Sequence, residues 1–440
     1  DNGIDFFTKE FKHVWSRDIP MLKQLGVNAV RLYAVDPGQD HDDFMCALDE
    51  AGIYAIVGLA ATCENCAITE EDPPNCYPAP LKERGQFIIS VFSKYPNLLA
   101  FSSGNEVNLL SVGEPERLGV CQKQFLRDMR VYVRNCRAAM RSVPIGVVIA
   151  DVNRELNSIY YACRSNPQDE LENSEFIGIN VYLHCNGGRT DPSEVVGFNN
   201  LHDAFQEYKV QVPVLLTEFG CLNPSFPDMD AYGETYESQR NFLQVDTLFS
   251  PKLVESFAGG FVFGWVTERN NWENTSPWPF TEYSSGNYGI GFFDPEECDD
   301  INVPCIYKPY PQYYNLQSRY LAVDNSFVPN LSLYEPTVTE VVECPADFPP
   351  LSDYEWPADE QINLGCPEYG DDLHNAEIDC SSNSRSALGP GCLGPDGPTN
   401  FDDDLTPALL NTSASAPSSR RDLWTTGLCM LLAAGITFCP

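Results

Sequence analysis

Two glutamates close apolar runs in this chain: Glu106 follows "LLAFSSGN" and Glu218 follows "VPVLLT". A lone carboxylate at a strand end simply faces water. Two strand ends brought together form a chemical pair. One carboxyl group gives and takes a proton while the other attacks an electron-poor carbon, the division of labour that opens an acetal such as a glycosidic bond. A retaining reaction sets the two roughly 5–5.5 Å apart, with one kept protonated by burial and by its neighbour's charge. The polar residues beside each acid, Asn105 and Thr217, strengthen the reading over that of two capped strands.

The elements that would position the two acids alternate along the chain. "FKHVWSRDIPMLKQLG" has apolar residues at helical spacing and leads to the strand-like "VNAVRLYAV"; "DHDDFMCALDEAG" leads likewise to "IYAIVGLA". The alternation continues to about residue 323, with strands expected near 27–35, 53–60, 98–105, 144–151, 176–182, 212–218 and 257–266. Near-continuous apolar strands separated by helices predict a parallel sheet covered on both faces. Seven strands of this kind predict an α/β fold, a (β/α)8 TIM barrel whose first strand is missing from this chain together with a leader. A doubly wound open sheet is the alternative, and no Gly-rich phosphate loop follows any strand to favour it. On the eight-strand count, Glu106 closes strand four and Glu218 closes strand seven. Both then lie at the carboxyl ends, over one mouth.

Composition narrows the partners. With 63 acidic against 27 basic residues and a net charge of -36, the surface repels phosphate backbones, so no nucleic-acid partner is expected. Seventeen cysteines suit disulfides in an oxidising compartment. The cluster Cys63, Cys66 and Cys76 hints at zinc, but no matching His/Cys pair follows at finger spacing. No metal and no organic cofactor is expected. Sequons at Asn274, Asn330 and Asn411 agree with secretion.

The organisation expected is a catalytic barrel over 1–330, an irregular acidic extension rich in Pro and Cys over 331–400, a spacer over 401–422 and an apolar tail over 423–440. The extension, with Cys344, Cys366, Cys380 and Cys392, reads either as a small disulfide-held appendage or as a spacer. Small residues, a polar spacer and the tail "LWTTGLCMLLAAGITFCP" together resemble a glycosylphosphatidylinositol (GPI) anchor signal. A membrane span is the other reading, although no basic flank follows the tail. The expectation is an extracellular, surface-anchored monomer.

"GNEV" at 104–107 and "TEFGC" at 217–221 resemble the acid/base and nucleophile motifs of glycoside hydrolase family 72, fungal-type β-1,3-glucanosyltransferases that are usually GPI-anchored. "RDIPMLKQLGVNAVRLYAV", "VRLYAVDPGQDHDDFMCALDEAGIYAIVGLA" and the order of "IGINVYLHC" before "TEFGC" are similar to further blocks of that family, over roughly residues 15–265. The resemblance implies that Glu106 is the acid/base, Glu218 the nucleophile, and β-1,3-glucan both donor and acceptor. It further implies that Asn105 binds the 2-hydroxyl of the attacked sugar, Tyr33 faces the donor sugar, and Tyr182 donates to Glu218. Arg31 near the mouth reads either as a partner of Glu218 or as half of a structural ion pair. Trp265, with Trp272, Trp278, Tyr283 and Tyr288, is a candidate acceptor platform.

The sequence departs from the family in two places. Gly58 stands where an Asp is usual, and the eighth-strand segment "GGFVFGWVTE" carries Phe263, Trp265 and Glu268 in place of a Tyr-rich ending. These changes leave a hydrolytic endo-β-1,3-glucanase of a related barrel family, or a non-catalytic glucan-binding wall protein, as the competing expectations.

Overall fold

The computed structural model describes residues 4–183, 195–221, 241–267, 288–295, 303, 305–328, 331–360, 363–367 and 380, together with the backbone of Gly435–Thr437. Seven parallel strands form the wall of a curled sheet. They are β1 (Ala29–Leu32), β2 (Tyr54–Gly58), β3 (Leu98–Asn105), β4 (Ile145–Ala150), β5 (Ile177–Asn180), β6 (Val214–Phe219) and β7 (Gly260–Phe263), each paired with the next in chain order. They coincide with the seven expected strands. Next to β7 lies β10 (Gly435–Thr437), antiparallel to it and beside β1.

Helices α1 (Lys12–Leu25), α2 (Asp42–Ala51), α3 (Ala79–Phe92), α4 (Pro115–Asn135), α5 (Arg154–Ala162), α6 (Val196–Tyr208), α7 (Leu243–Leu248) and α8 (Pro311–Tyr320) cover the outside. Three of them, α3, α4 and α8, carry a proline in the first turn, where no helical N–H partner is lost. The main core lies between helices and sheet. A second, smaller cluster of Ala29, Ile56, Ala100, Phe176, Leu215 and Phe261 comes from residues of successive strands. Strand side chains alternate, so the face that carries Ala29 also presents Arg31 and then Tyr33, and the face of Phe261 presents Phe263. One strand face therefore changes from apolar floor to charged and aromatic mouth within two to four residues.

An antiparallel pair, β8 (Gly291–Asp294) with β9 (Ile306–Pro309), is an addition that the sequence reading omits.

Where it is described, the extension is disulfide-held, as one of its two readings expected, and it lies against the barrel. Disulfides Cys163–Cys344, Cys136–Cys366 and Cys46–Cys380 fasten it to the α5, α4 and α2 regions of the barrel. Phe348 stacks on Tyr160 at 3.7 Å, and Trp356 packs against Tyr77. Lys82 Nζ donates to the Ala358 carbonyl at 2.7 Å, and Gln86 exchanges hydrogen bonds with Asn363 and Leu364. The extension lacks a periodic core because it borrows the barrel's. Cys63–Cys66 and Cys76–Cys121 are disulfides, so the zinc alternative has no thiolates left to use.

Among the described residues, no helix is long and apolar enough to cross a membrane, and no group of three or more His, Cys, Asp or Glu is arranged to hold a metal ion. Trp272, Trp278, Tyr283, Glu268 and the sequons at Asn274, Asn330 and Asn411 lie outside the described residues, as do the tail's side chains.

Candidate active site

Glu218 is the centre of the mouth. It sits one residue before the end of β6, is 6% exposed, and pairs in register with Asn180 of β5. Its Oε1 accepts from Arg31 Nη1 at 3.0 Å and from the Tyr33 hydroxyl at 2.6 Å; its Oε2 accepts from the Tyr182 hydroxyl at 2.5 Å. Three donors from two strand ends, Arg31 and Tyr33 from β1 and Tyr182 from β5, therefore converge on one carboxylate. A buried carboxylate without such partners would be strongly disfavoured as an anion, so the donors are what make its burial tolerable.

Arg31 itself is 1% exposed and bridges two members of the site. Its Nη2 donates to Asn105 Oδ1 at 2.5 Å, while its guanidinium lies 4.2 Å from the centre of the Tyr33 ring. Asn105 Oδ1 also accepts from Asn180 Nδ2 at 3.3 Å, and Asn180 Oδ1 accepts from the Thr217 hydroxyl at 2.9 Å. Thr217, Asn180, Asn105, Arg31 and Glu218 thus form one hydrogen-bonded loop across β6, β5, β3 and β1. Burial and the Glu218 and Glu106 charges hold the Tyr33 hydroxyl well above its ordinary pKa, with Arg31 opposing, and Tyr182 is raised by burial and Glu218. Both phenols therefore remain donors at any working pH.

Glu106 follows β3 in a left-handed backbone conformation, with φ of 54° and ψ of 29°. That region is uncommon for a residue with a side chain and persists where neighbours enforce it. Burial first, and then the Glu218 charge, push its carboxyl group above the ordinary range; the Asn180 amide and Arg31 pull it partly back. The two glutamates are therefore close enough to feel one another. The environment separates them as an acid–base pair requires: one is surrounded by donors, the other is kept more protonated.

An aromatic wall surrounds Glu218. Phe263 at the end of β7 meets Tyr33, Tyr182 and Tyr288 edge to face, with ring centres 6.3, 6.4 and 5.2 Å away, and Tyr182 and Tyr288 lie 4.9 Å apart. Gly58, where the family usually has Asp, ends β2 against the Tyr33 backbone, and a Cβ there would run into the Tyr33 carbonyl oxygen.

Of the expected site residues, Arg31, Tyr33, Asn105, Glu106, Tyr182 and Glu218 come together. Trp265 does not join them. Its ring stacks on Tyr307 of β9 at 4.1 Å and lies 6.4 Å from Tyr313 of α8, packed against the main core. The additional strands that the sequence reading omits supply that partner. Asn180 and Thr217 were absent from the expected set, although a polar residue two positions before Tyr182 on the same strand face was a usable signal.

Two strand-end glutamates over one mouth of a curled parallel sheet are the arrangement that barrel-type glycoside hydrolases use. The profile of the glucanosyltransferases, glycoside hydrolase family 72, matches residues 8–275, and the chain belongs to that family. It is 32% identical over 262 residues to 1,3-beta-glucanosyltransferase GAS5 of Saccharomyces cerevisiae, covering 59% of this chain and 49% of that protein. It is 31% identical over 261 residues to 1,3-beta-glucanosyltransferase gas5 of Schizosaccharomyces pombe, covering 59% and 47%. The chain spans about half the length of these curated relatives. Among solved structures, Saccharomyces cerevisiae Gas2p in complex with laminaripentaose is similar with a TM-score of 0.55 and 25% identity, over 78% of this chain and 65% of that one.

Proposed function

We propose that this chain is a retaining β-1,3-glucan glucanosyltransferase. The observation that carries the reading is the convergence of Arg31, Tyr33 and Tyr182 on Glu218, beside a Glu106 whose carboxyl group is pushed upward. In the first step the Glu218 carboxylate attacks the anomeric carbon of the donor chain. The Glu106 carboxyl passes its proton to the departing glycosidic oxygen, and a glycosyl ester forms. In the second step Glu106, now a carboxylate, takes the proton of an acceptor hydroxyl. That oxygen attacks the same carbon and frees Glu218, with net retention. Asn105, held by Arg31 and Asn180, is the group for the sugar 2-hydroxyl. The aromatic edges of Tyr33, Tyr182, Phe263 and Tyr288 offer apolar surface to sugar C–H faces and displace water that would otherwise compete.

The test is incubation with a reduced β-1,3-gluco-oligosaccharide and sizing of the products by mass. Transfer yields products longer than the donor, and hydrolysis alone yields only shorter ones. Glu218→Gln abolishes both while sugar binding remains; unchanged turnover rejects the assignment.

The proposal extends to the setting. Residues 1–330 act as the catalytic unit, 331–400 as the extension, 401–422 as a spacer, and 423–440 as a GPI signal on a monomeric, extracellular protein. The disulfides support an oxidising compartment. Release from cells by a phosphatidylinositol-specific phospholipase tests the anchor.

A further inference from the structure

We propose that Asn108 is a positioning residue for Glu106, holding the acid–base carboxyl in line with the donor's leaving oxygen; this rests on the role given to Glu106 above. Asn108 lies in the single 3-10 turn Val107–Leu109 that follows Glu106 and is 5% exposed. Its Oδ1 accepts from the Ala150 N–H at 2.9 Å, and its Nδ2 donates to the Ala150 carbonyl at 3.0 Å and the Val152 carbonyl at 3.3 Å. One carboxamide thus satisfies both sides of the residue that ends β4. It stands in for the backbone of a β3 strand that has already turned away.

The turn has a further tie at its start, and the segment that follows it has another. Glu106 N–H donates to the Val148 carbonyl at 3.0 Å, and Asn153 Nδ2 donates to the Val112 carbonyl at 2.8 Å. The left-handed backbone of Glu106 needs such enforcement, because the ordinary alternatives are lower in energy. Of the side chains between Glu106 and α4, Asn108 is the one whose buried donor and acceptor are both hydrogen-bonded. Asp in its place keeps the bond from Ala150 N–H but sets a second oxygen against two carbonyl oxygens. The turn is then pushed away from β4, and Glu106 moves with it.

A general acid matters in proportion to how badly the leaving group needs a proton. A misplaced Glu106 therefore slows cleavage of a sugar–sugar bond and spares departure of fluoride, which leaves without protonation. The experiment compares wild type, Asn108→Asp and Glu106→Gln on a reduced β-1,3-gluco-oligosaccharide and on a β-1,3-linked glucopentaosyl β-fluoride. Fluoride release is read in a single turnover, so that only the first step counts. For Asn108→Asp the expected result is a loss of about tenfold or more in kcat on the oligosaccharide. KM should stay within about twofold, and fluoride release should stay within about twofold of wild type.

Equal losses on both donors, or no loss on the oligosaccharide, overturn the proposal, since a merely structural role lowers both alike. Glu106→Gln separates the two levels. If it shows no preference for the fluoride, the acid–base assignment itself fails; if it does and Asn108→Asp does not, only the positioning role fails. Should the Asp variant not accumulate as folded protein, Asn108→Ser gives the same ratio.

Discussion

At the scale of single residues, the site works by giving two chemically identical side chains different surroundings. Glu218 receives a cation and two phenolic donors, whereas Glu106 receives burial and a neighbouring negative charge. The second of these can be removed without disturbing shape. Glu218→Gln is isosteric and neutral, so one of the two causes that raise Glu106 disappears while burial remains. Arg31, released from its ion pair, also acts more strongly on Glu106. Both changes favour the ionised form, so the Glu106 pKa falls in the variant. Carbon-13 NMR of carboxyl-labelled glutamate across a pH series reads this directly. A Glu106 titration that is unmoved or moved upward in Glu218→Gln means that the two carboxylates do not interact. In the active protein the sign has a kinetic counterpart. On the mechanism proposed above the first step needs protonated Glu106, so whatever raises its pKa carries activity to higher pH, and the alkaline limb of kcat/KM reports it.

At the scale of elements, the strand–helix alternation was legible because it is periodic, and period is what a sequence displays. Runs such as "VNAVRLYAV" and "VPVLLTEFG" announce buried strands, and the acids at their ends follow from barrel geometry. Asn108 was not legible, and Asn180 was legible only as a polar residue on the strand face of Tyr182. A buried amide is recognised by what it touches, and its partners on β4, β3 and β6 are distant in sequence. Trp265 failed for the converse reason: an aromatic residue near a mouth reads as a sugar platform until a covering strand is found. The extension shows the same limit, since only cysteines pairing with helices reveal its path. Where it crosses α4, the helix has a glycine. A Cβ at Gly119 would meet Phe348 Cε1 at 2.8 Å and Tyr160 Cε1 at 3.3 Å, and those two rings are already stacked. Gly119→Ala should gain about 0.8–1 kcal/mol of helix propensity. Overpacking should lose about 1–3 kcal/mol, so the net is destabilisation by about 1 kcal/mol in urea unfolding. In a Phe348→Leu background the clash is relieved, and the same substitution becomes neutral or stabilising. Additive effects in that cycle would show that the two positions do not meet.

At the scale of the whole molecule, the net charge of -36 makes compactness itself costly through self-repulsion. The described part of the extension acts against that. It leaves α8, reaches α5 at Cys344, crosses α3 and returns to α4 at Cys366, so that its disulfides close long loops over the outer helices. None of its described contacts reaches Glu106, Glu218 or the residues that hold them, so fold stability and catalysis separate along this boundary. Replacing Cys136 and Cys366 together by serine leaves no unpaired thiol and removes one tie, whose chain-entropy value is about 2–4 kcal/mol. The unfolding midpoint in urea should fall accordingly, because Tyr132 and Gln86 then hold the 363–366 segment by hydrogen bonds alone. The rate of donor cleavage at 25 °C should remain within about twofold of wild type, since none of these residues contributes to the stabilisation of the transition state. A loss of activity that exceeds the loss of folded protein would show instead that the extension bears on the mouth, and the boundary between strap and site would have to be redrawn.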